Sequence, residues 1–438
     1  MALLHLRSSN PDFSWIIHKD PNSKLPSIRR HKRGRSFGWY SEQNKCYNIF
    51  FKDSDTQVSY AVNQSDNSFE FQNCSRYNSA LFPIDAIQSF LSSTVKRTTT
   101  EDEPEIDVDG FENSLTVNMM YIKNVKYIEI FQDHIDGFAI THNSLAENNY
   151  RITFSTTKSI RELLNFVNLF CIFNALKNDR NSIDLNPDLV KKYLSCLQVI
   201  DPPYFVRYVF KVNLLRNKKI FKEYKEILEA SSKHKSIDMT YGSTNVSRQD
   251  FVLNAIPLGT NIVDVGCGEG AYANMFARRF SKDPDSKYIG VDIDEAMVAM
   301  AKKKVRNRVS EGRCKEDQFE FFTDVGDIEM THNNDNAILL IEVIEHMPMD
   351  EAVTLVNYCL NALKPDKMII TTPNREFNKF YSGVTGYMRH DDHCFELDRY
   401  EFENLIASTT AGRYKTKFFG CGDAVDGVQP TQGCILEK

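Results

Sequence analysis

The sequence predicts an α/β protein: a Rossmann-like, doubly wound sheet in the C-terminal half, preceded by a separate α+β domain. Three observations carry that prediction. Beyond about residue 245, short apolar runs alternate with stretches of helical periodicity, the signature of βα units on a parallel sheet. A glycine-rich turn, "VDVGCGEGA", separates the first of those runs from the first helical stretch. Before about residue 230 the texture is less regular, mixing alternating strand-like runs with amphipathic helices.

In chain order, "KCYNIFFKD" and "TQVSYAV" alternate as strands, while "IDAIQSFLSSTV" and "SIRELLNFVNLFCIFNAL" have helical spacing. The basic run "RRHKRGR" (29–35) and the acidic run "EDEPEIDVDG" (101–110) read as solvated loops, the former with an RNA-phosphate contact as the alternative. "NKKIFKEYKEILEA" is a Lys-rich helix closing a first domain, 1–230. The polar, turn-rich residues 231–246 read as a linker. The second domain, 247–438, opens with strand "NIVDVG", the glycine turn and a helix to Phe280. "YIGVDID", "FEFFTDV", "NAILLIE" and "MIITTPN" follow as strands, with the helix "EAMVAMAKKKVRNRV" after the second strand. Val356, Cys359, Leu360 and Leu363 share one face of another helix. "YKTKFFG" and "GCILEK" close the sheet around a Gly/Pro-rich loop.

Bulk properties narrow the class. A 438-residue chain with 42% hydrophobic and 26% charged residues fits a soluble two- or three-domain protein. Its net charge of −6 argues against a generally basic nucleic-acid binder but leaves local patches open. Ten cysteines without a CxxC pair suggest reduced thiols and a cytoplasmic location. The N-terminus lacks the apolar stretch of a signal peptide. Phe166–Leu176 and Ala337–Ile344 are too short to cross a bilayer, so no membrane association is expected.

Two clusters suggest chemistry. Asp264 ends the first strand of the second domain, and Gly266, Gly268 and Gly270 let the backbone turn sharply and approach a ligand. Asp292 ends the next strand, where a carboxylate can accept from both ribose hydroxyls of a nucleoside cofactor. A nicotinamide dinucleotide and S-adenosylmethionine both fit this placement. Glu269 inside the loop would repel a pyrophosphate and tolerates a cationic sulfonium, which favours S-adenosylmethionine. Asp324, close to Asp327, ends the third strand and could face the adenine edge. The second cluster is "LLIEVIEHMP". If the chain turns into a helix there, Glu342, Glu345 and His346 point to one side. Downstream, "RHDDHCFELDRYEF" supplies His390 and His393, either of which could complete a Glu₂His₂ metal site. Two imidazoles tilt such a site toward Mn²⁺ or a neighbouring transition ion, with Mg²⁺ possible.

"DVGCGEG" resembles the first motif of class I methyltransferases. "EVIEHM", "TTPNREFN", "RHDDHCFELDRYEF" and "PTQGCILEK" together resemble the Hen family of 3′-terminal RNA ribose 2′-O-methyltransferases. "IIHKDP", "GWYSE", "SRYNSALFPIDAIQSFLS" and "TFSTTKSIRELLNFVNLF" resemble the N-terminal domain of its bacterial members. The resemblance implies S-adenosylmethionine as methyl donor, with Asp292 as the cofactor acid, and a divalent metal on Glu342, Glu345, His346 and His393. His390 is then the less favoured ligand, and His346 or His390 could assist proton removal. It also implies RNA with a free 2′,3′-OH end as substrate, and a polynucleotide kinase–phosphatase–ligase as partner in repair of RNA cut by ribotoxins. The alternatives are small-RNA 3′-end methylation outside repair, a class I methyltransferase with another substrate, and a degenerate ligase-regulating module. The family's FEWTR reads "FELDR" here, so Leu397 and Asp398 replace Trp and Thr, and the aromatic that the resemblance implies near the RNA end is absent.

Overall fold

The computed structural model describes residues 1–438 except 24, 32–33, 54–77, 97–104, 179–186, 331–333 and 382–387. The expected strand "TQVSYAV" lies outside the described residues. The chain forms two compact units, Met1–His234 and Lys235–Lys438. No helix among the described residues is long and apolar enough to cross a membrane.

The first unit contains β1 Ala2–Ser8, α1 Phe13–Ile16, β2 Ser27–His31, β3 Gly34–Ser41, β4 Cys46–Asp53, α2 Phe82–Lys96 and β5 Asn113–Tyr121. It continues with α3 Lys126–His134, β6 Phe138–Ala146, β7 Asn149–Thr156, α4 Ile160–Asn178, α5 Pro187–Leu197, α6 Tyr204–Leu214 and α7 Lys218–Ala230. The strands form one antiparallel sheet in the order β2-β3-β4-β1-β5-β7-β6. Leu4, Leu6, Ile49, Phe51, Leu115, Val117, Ile152 and Phe154 alternate onto its buried face. α4 is apolar around most of its circumference and is buried as the centre of the unit. Phe166 stacks on Phe138 at 4.1 Å, and Phe170 meets Phe131 and Phe154 edge-on.

Two readings of this half are corrected. The described part of the acidic run is not merely solvated: Asp107 accepts from the backbone N–H of Ile160 and Arg161 at 2.7 and 2.9 Å, and Asp109 from Ser159 at 3.0 Å. Those bonds satisfy orphan donors at the start of α4, where a carboxylate also suits the helix dipole. The basic run is not a plain loop either. Arg29 and Arg30 lie in β2 and Arg35 in β3, because the strands pair from Ser27↔Gly38 to His31↔Gly34.

The second unit contains β8 Ile237–Asp238, α8 Thr244–Ala255, β9 Thr260–Val265, α9 Ala271–Phe280, β10 Tyr288–Val291, α10 Glu295–Ser310 and β11 Phe319–Phe322. β12 Asp335–Ile341, α11 Met349–Tyr358, β13 Lys367–Pro373, α12 Arg399–Thr410, β14 Lys415–Cys421, β15 Ala424–Val425 and β16 Thr431–Glu437 follow. From Lys235 the polar stretch read as a linker is part of this unit, since β8 pairs with β15 and Met239 is fully buried. The sheet order is β11-β10-β9-β12-β13-β16-β14, parallel from β11 to β13, with β16 antiparallel to both neighbours. Both faces are covered, so its central strands read as continuous apolar runs. Ile262, Leu339 and Ile369 pack on one side with Phe276 of α9, and Val263, Leu340 and Ile370 on the other with Val356 of α11 and Phe402 of α12. The strand order reverses between β9 and β12, so a crevice for a ligand opens beyond their C-terminal ends.

Candidate cofactor cradle and metal centre

The loop after β9 turns at Gly266 (φ 78°), whose N–H donates to Val291 O at 2.8 Å. A Cβ there would come within 2.5 Å of the Val343 side chain, so the glycine is required both by its backbone and by the chain leaving β12. Gly268 (φ 51°) has open space where a Cβ would be, which leaves its backbone accessible to a ligand. Asp292 closes the cradle: one carboxylate oxygen accepts Gly268 N–H at 2.8 Å and the other Asp294 N–H at 3.0 Å. Each oxygen retains a lone pair for a further donor. Ile293 beside it is 92% exposed and offers an apolar surface at the mouth of the crevice.

Other expected cofactor residues take different positions. Asp264 is buried beneath the loop and accepts from the Tyr288 hydroxyl. Burial, and then the Asp292 charge, push its carboxyl up to about 7 despite that bond. It therefore supports the cradle from below. Asp324 accepts Gly326 N–H at 2.7 Å and caps the short turn Val325–Asp327. Glu269 forms an ion pair with Lys304 of α10 at 2.7 Å, so the loop is less negative than the sequence suggested. The electrostatic case against a pyrophosphate weakens accordingly.

The chain leaves β12 through Glu342, a non-glycine residue in the left-handed region (φ 56°). A single tight turn, Ile344–His346, follows, and α11 begins only after Pro348. The expected helix is absent here, and the acids and histidine do not share a helix face. The turn and a distant loop nevertheless bring Glu345, His346 and His393 together, with one potential ligand atom of each within 4.8 Å of the others. Glu342 is not in that group. Arg248 of α8 holds its carboxylate at 2.8 Å, and the Thr371 hydroxyl donates to it at 3.0 Å. His390 lies outside the group too, its ring 5.1 Å from that of His393.

Glu345 is fully buried; one oxygen accepts from the Thr372 hydroxyl at 3.1 Å and the other has no hydrogen-bond partner. Burial, and then the Glu342 charge, hold its carboxyl well above the usual carboxylate range. A carboxylate in that position requires a cation or a proton. With two imidazoles beside it, the donor set suits a divalent ion of the Mn²⁺ to Zn²⁺ series.

Several supporting residues escaped the sequence reading. His393 Nδ1 lies 2.7 Å from buried Glu396, which also accepts from Arg389 N–H at 2.7 Å and Asn378 Nδ2 at 2.6 Å. Burial alone would raise the Glu396 carboxyl, but these bonds bring it below the usual range. A carboxylate there fixes the Nδ1–H tautomer and leaves Nε2 to ligate. Thr371 and Thr372 explain the "TTPN" motif by bonding Glu342 and Glu345. The only signal for Glu396 was its spacing of three from His393; Arg248 gave none. Leu397 is buried in the core, and Asp398 caps α12 with Glu401 and bonds Arg375 at 2.9 Å. Both departures from the family pattern thus have structural roles.

Residues 3–233 match the model of the Hen1 N-terminal domain, and residues 262–366 that of a methyltransferase domain. A small RNA 2′-O-methyltransferase of Caenorhabditis elegans is 32% identical over 177 residues, 37% of this chain and 40% of that protein. One of Schizosaccharomyces pombe is 27% identical over 188 residues, 38% of this chain and 49% of that protein. The chain thus spans less than half the length of either relative. A chain of the solved Pnkp1/Rnl/Hen1 RNA repair complex superposes with a TM-score of 0.82 at 25% identity, covering 100% of both chains. The N-terminal match extends over more than half of the sequence, and the chain belongs to the family with the Hen1 N-terminal domain.

Proposed function

We propose that the second unit transfers a methyl group from S-adenosylmethionine to the 2′-OH of the 3′-terminal nucleotide of RNA, with a divalent cation, Mn²⁺ or Mg²⁺, at the Glu345 cluster. The observation carrying this reading is the convergence of Glu345, His346 and His393 at the end of β12, the neighbour of the strand that opens into the Gly266–Gly270 loop. The donor supplies an electrophilic methyl on a sulfonium, and a cation acidifies and orients a ribose hydroxyl. Asp292 and the Gly268 backbone hold the nucleoside end of the donor. Glu345, His346 and His393 hold the cation, with Glu342 as the adjoining carboxylate. His346 Nδ1 lies 3.3 Å from Asp392, which leaves its Nε2 for the cation, and His390, outside the ligand group with its ring 5.1 Å from that of His393, is the imidazole that receives the hydroxyl proton. A vicinal diol exists only at an RNA 3′ end, so a site that engages both hydroxyls selects that end.

The fold shared with a chain of an RNA repair complex supports a kinase–phosphatase–ligase partner for this protein, and methylation at a repaired break as its setting. The test incubates the full chain with labelled S-adenosylmethionine, Mn²⁺ and RNA ending in 2′,3′-OH, 3′-phosphate or a terminal 2′-deoxy sugar. Transfer to the diol alone is expected. Equal labelling of all three ends, or full turnover in EDTA, would overturn the reading.

A further inference from the structure

The basic run at the start of the chain plays no part in this chemistry, yet the fold arranges it in a specific way. β2, β3 and β4 are neighbours, and their register sets Arg30 opposite Arg35 and Arg35 opposite Lys52. Directly opposed residues share a sheet face, so three cations form a row across three strands. All three are exposed, and none is paired with a carboxylate among the described residues. Opposed like charges destabilise a sheet, so the row costs the fold stability. Edge protection accounts for cations on the outermost strand, β2, but not for a row that continues two strands inward to Lys52. Phe37 lies opposite Phe50 in the next row of the same face, with ring centroids 6.2 Å apart. Trp39, two residues further along β3, is 36% exposed. The opposite face carries the buried Tyr47, Ile49 and Phe51 of β4.

Cations beside partly exposed aromatic rings on one sheet face are what a single nucleic-acid strand needs: charge for its phosphates and ring faces for its bases. We propose that this face of the N-terminal sheet binds single-stranded RNA, with Arg30, Arg35 and Lys52 on the phosphates and Trp39 stacked on a base. The surface is separate from the methyl-transfer site and does not depend on that reaction.

The test uses the full chain and a fluorescent single-stranded RNA ending in 3′-phosphate, in EDTA and without methyl donor. The readout therefore stands apart from the proposed catalysis. The triple variant Arg30→Gln, Arg35→Gln, Lys52→Gln should bind about tenfold or more weakly at 0.1 M salt. The slope of log affinity against log salt should fall by about 2, at roughly 0.7 per lost phosphate contact. Trp39→Ala should weaken binding about fivefold or more with the salt slope unchanged. In a Trp15→Phe background, where Trp39 is the one remaining tryptophan, RNA should quench its emission. Wild-type affinity and slope in a folded triple variant would overturn the proposal. So would unquenched Trp39 at saturating RNA, or a triple variant that keeps RNA but loses a protein partner, which would assign the face to protein docking.

Discussion

Asp264 offers the sharpest test of the second unit's electrostatics. It is buried beneath the glycine loop, and its carboxyl is raised from an ordinary 3.8 to about 7, first by burial and then by Asp292. A folded-state value above the unfolded one means that the unfolded chain releases this proton first. The folded state is therefore unburdened below about pH 4 and loses stability as pH rises toward 7. Above 7 the loss is constant. At about 1.4 kcal/mol per pH unit, the gap between 3.8 and about 7 amounts to about 4 kcal/mol, of which about 3 develops between pH 4.5 and 8. Asp264→Asn removes this ionisation while keeping an acceptor for the Tyr288 hydroxyl. All other carboxylates are common to both proteins, so the difference between their pH profiles isolates this residue. The assay is calorimetric melting of the full chain without cofactor. Both tryptophans, Trp15 and Trp39, lie in the first unit, so their fluorescence does not report the second. The variant should gain on the wild type by about 3 kcal/mol between pH 4.5 and 8. For a unit of this size that is about 6–12 °C in Tm. Parallel profiles would show that Asp264 is already charged in the fold and refute the reasoning.

Three further outcomes follow from contacts described above. Glu396→Gln should weaken Mn²⁺ binding about 10- to 100-fold by titration calorimetry while leaving S-adenosylmethionine affinity unchanged; an unaltered metal affinity would remove the orienting role assigned to Glu396. Gly266→Ala should lower cofactor affinity at least about tenfold, since both the left-handed φ and the 2.5 Å approach to Val343 resist a Cβ. Adding Val343→Ala should recover only the steric part, and full recovery would show that the backbone conformation does not matter. Asp107→Ala should cost the first unit about 1–2 kcal/mol in urea unfolding followed by tryptophan fluorescence, by leaving the Ile160 and Arg161 N–H groups unpaired. A stability equal to wild type would mean that water caps α4 equally well.

The parallel half of the fold was legible because burial on both faces writes unbroken apolar runs. "NIVDVG" and "NAILLIE" lie within one residue of β9 and β12. The antiparallel half was not. β6, "FAITHNSLA", is exposed along most of its length, so hydrogen bonding to β7 rather than apolar alternation makes it a strand. β2 holds two arginines at an exposed edge of the sheet, where Arg29 lies over the Phe90 ring and donates to Ser89 O. A charge run and a strand are not alternatives once a side chain has an aromatic face to cover.

At the candidate site, residue types were readable and conformations were not. Helical spacing placed Glu342, Glu345 and His346 on one face, but a left-handed residue and Pro348 replace that helix with a single turn. The three residues separate as a result: Glu345 and His346 meet His393, while Glu342 turns to Arg248 and Thr371. Arg248 lies 94 positions upstream of Glu342 in α8, in a stretch without any motif, so only the fold could reveal the pair. Its charge has a consequence for the whole cluster. Two carboxylates three residues apart repel one another, and the Arg248 guanidinium at 2.8 Å offsets one of them. Buried Glu345, whose second oxygen has no hydrogen-bond partner, stays protonated unless a cation neutralises it. Demand for a cation is thereby concentrated on the carboxylate that lies beside the two histidines.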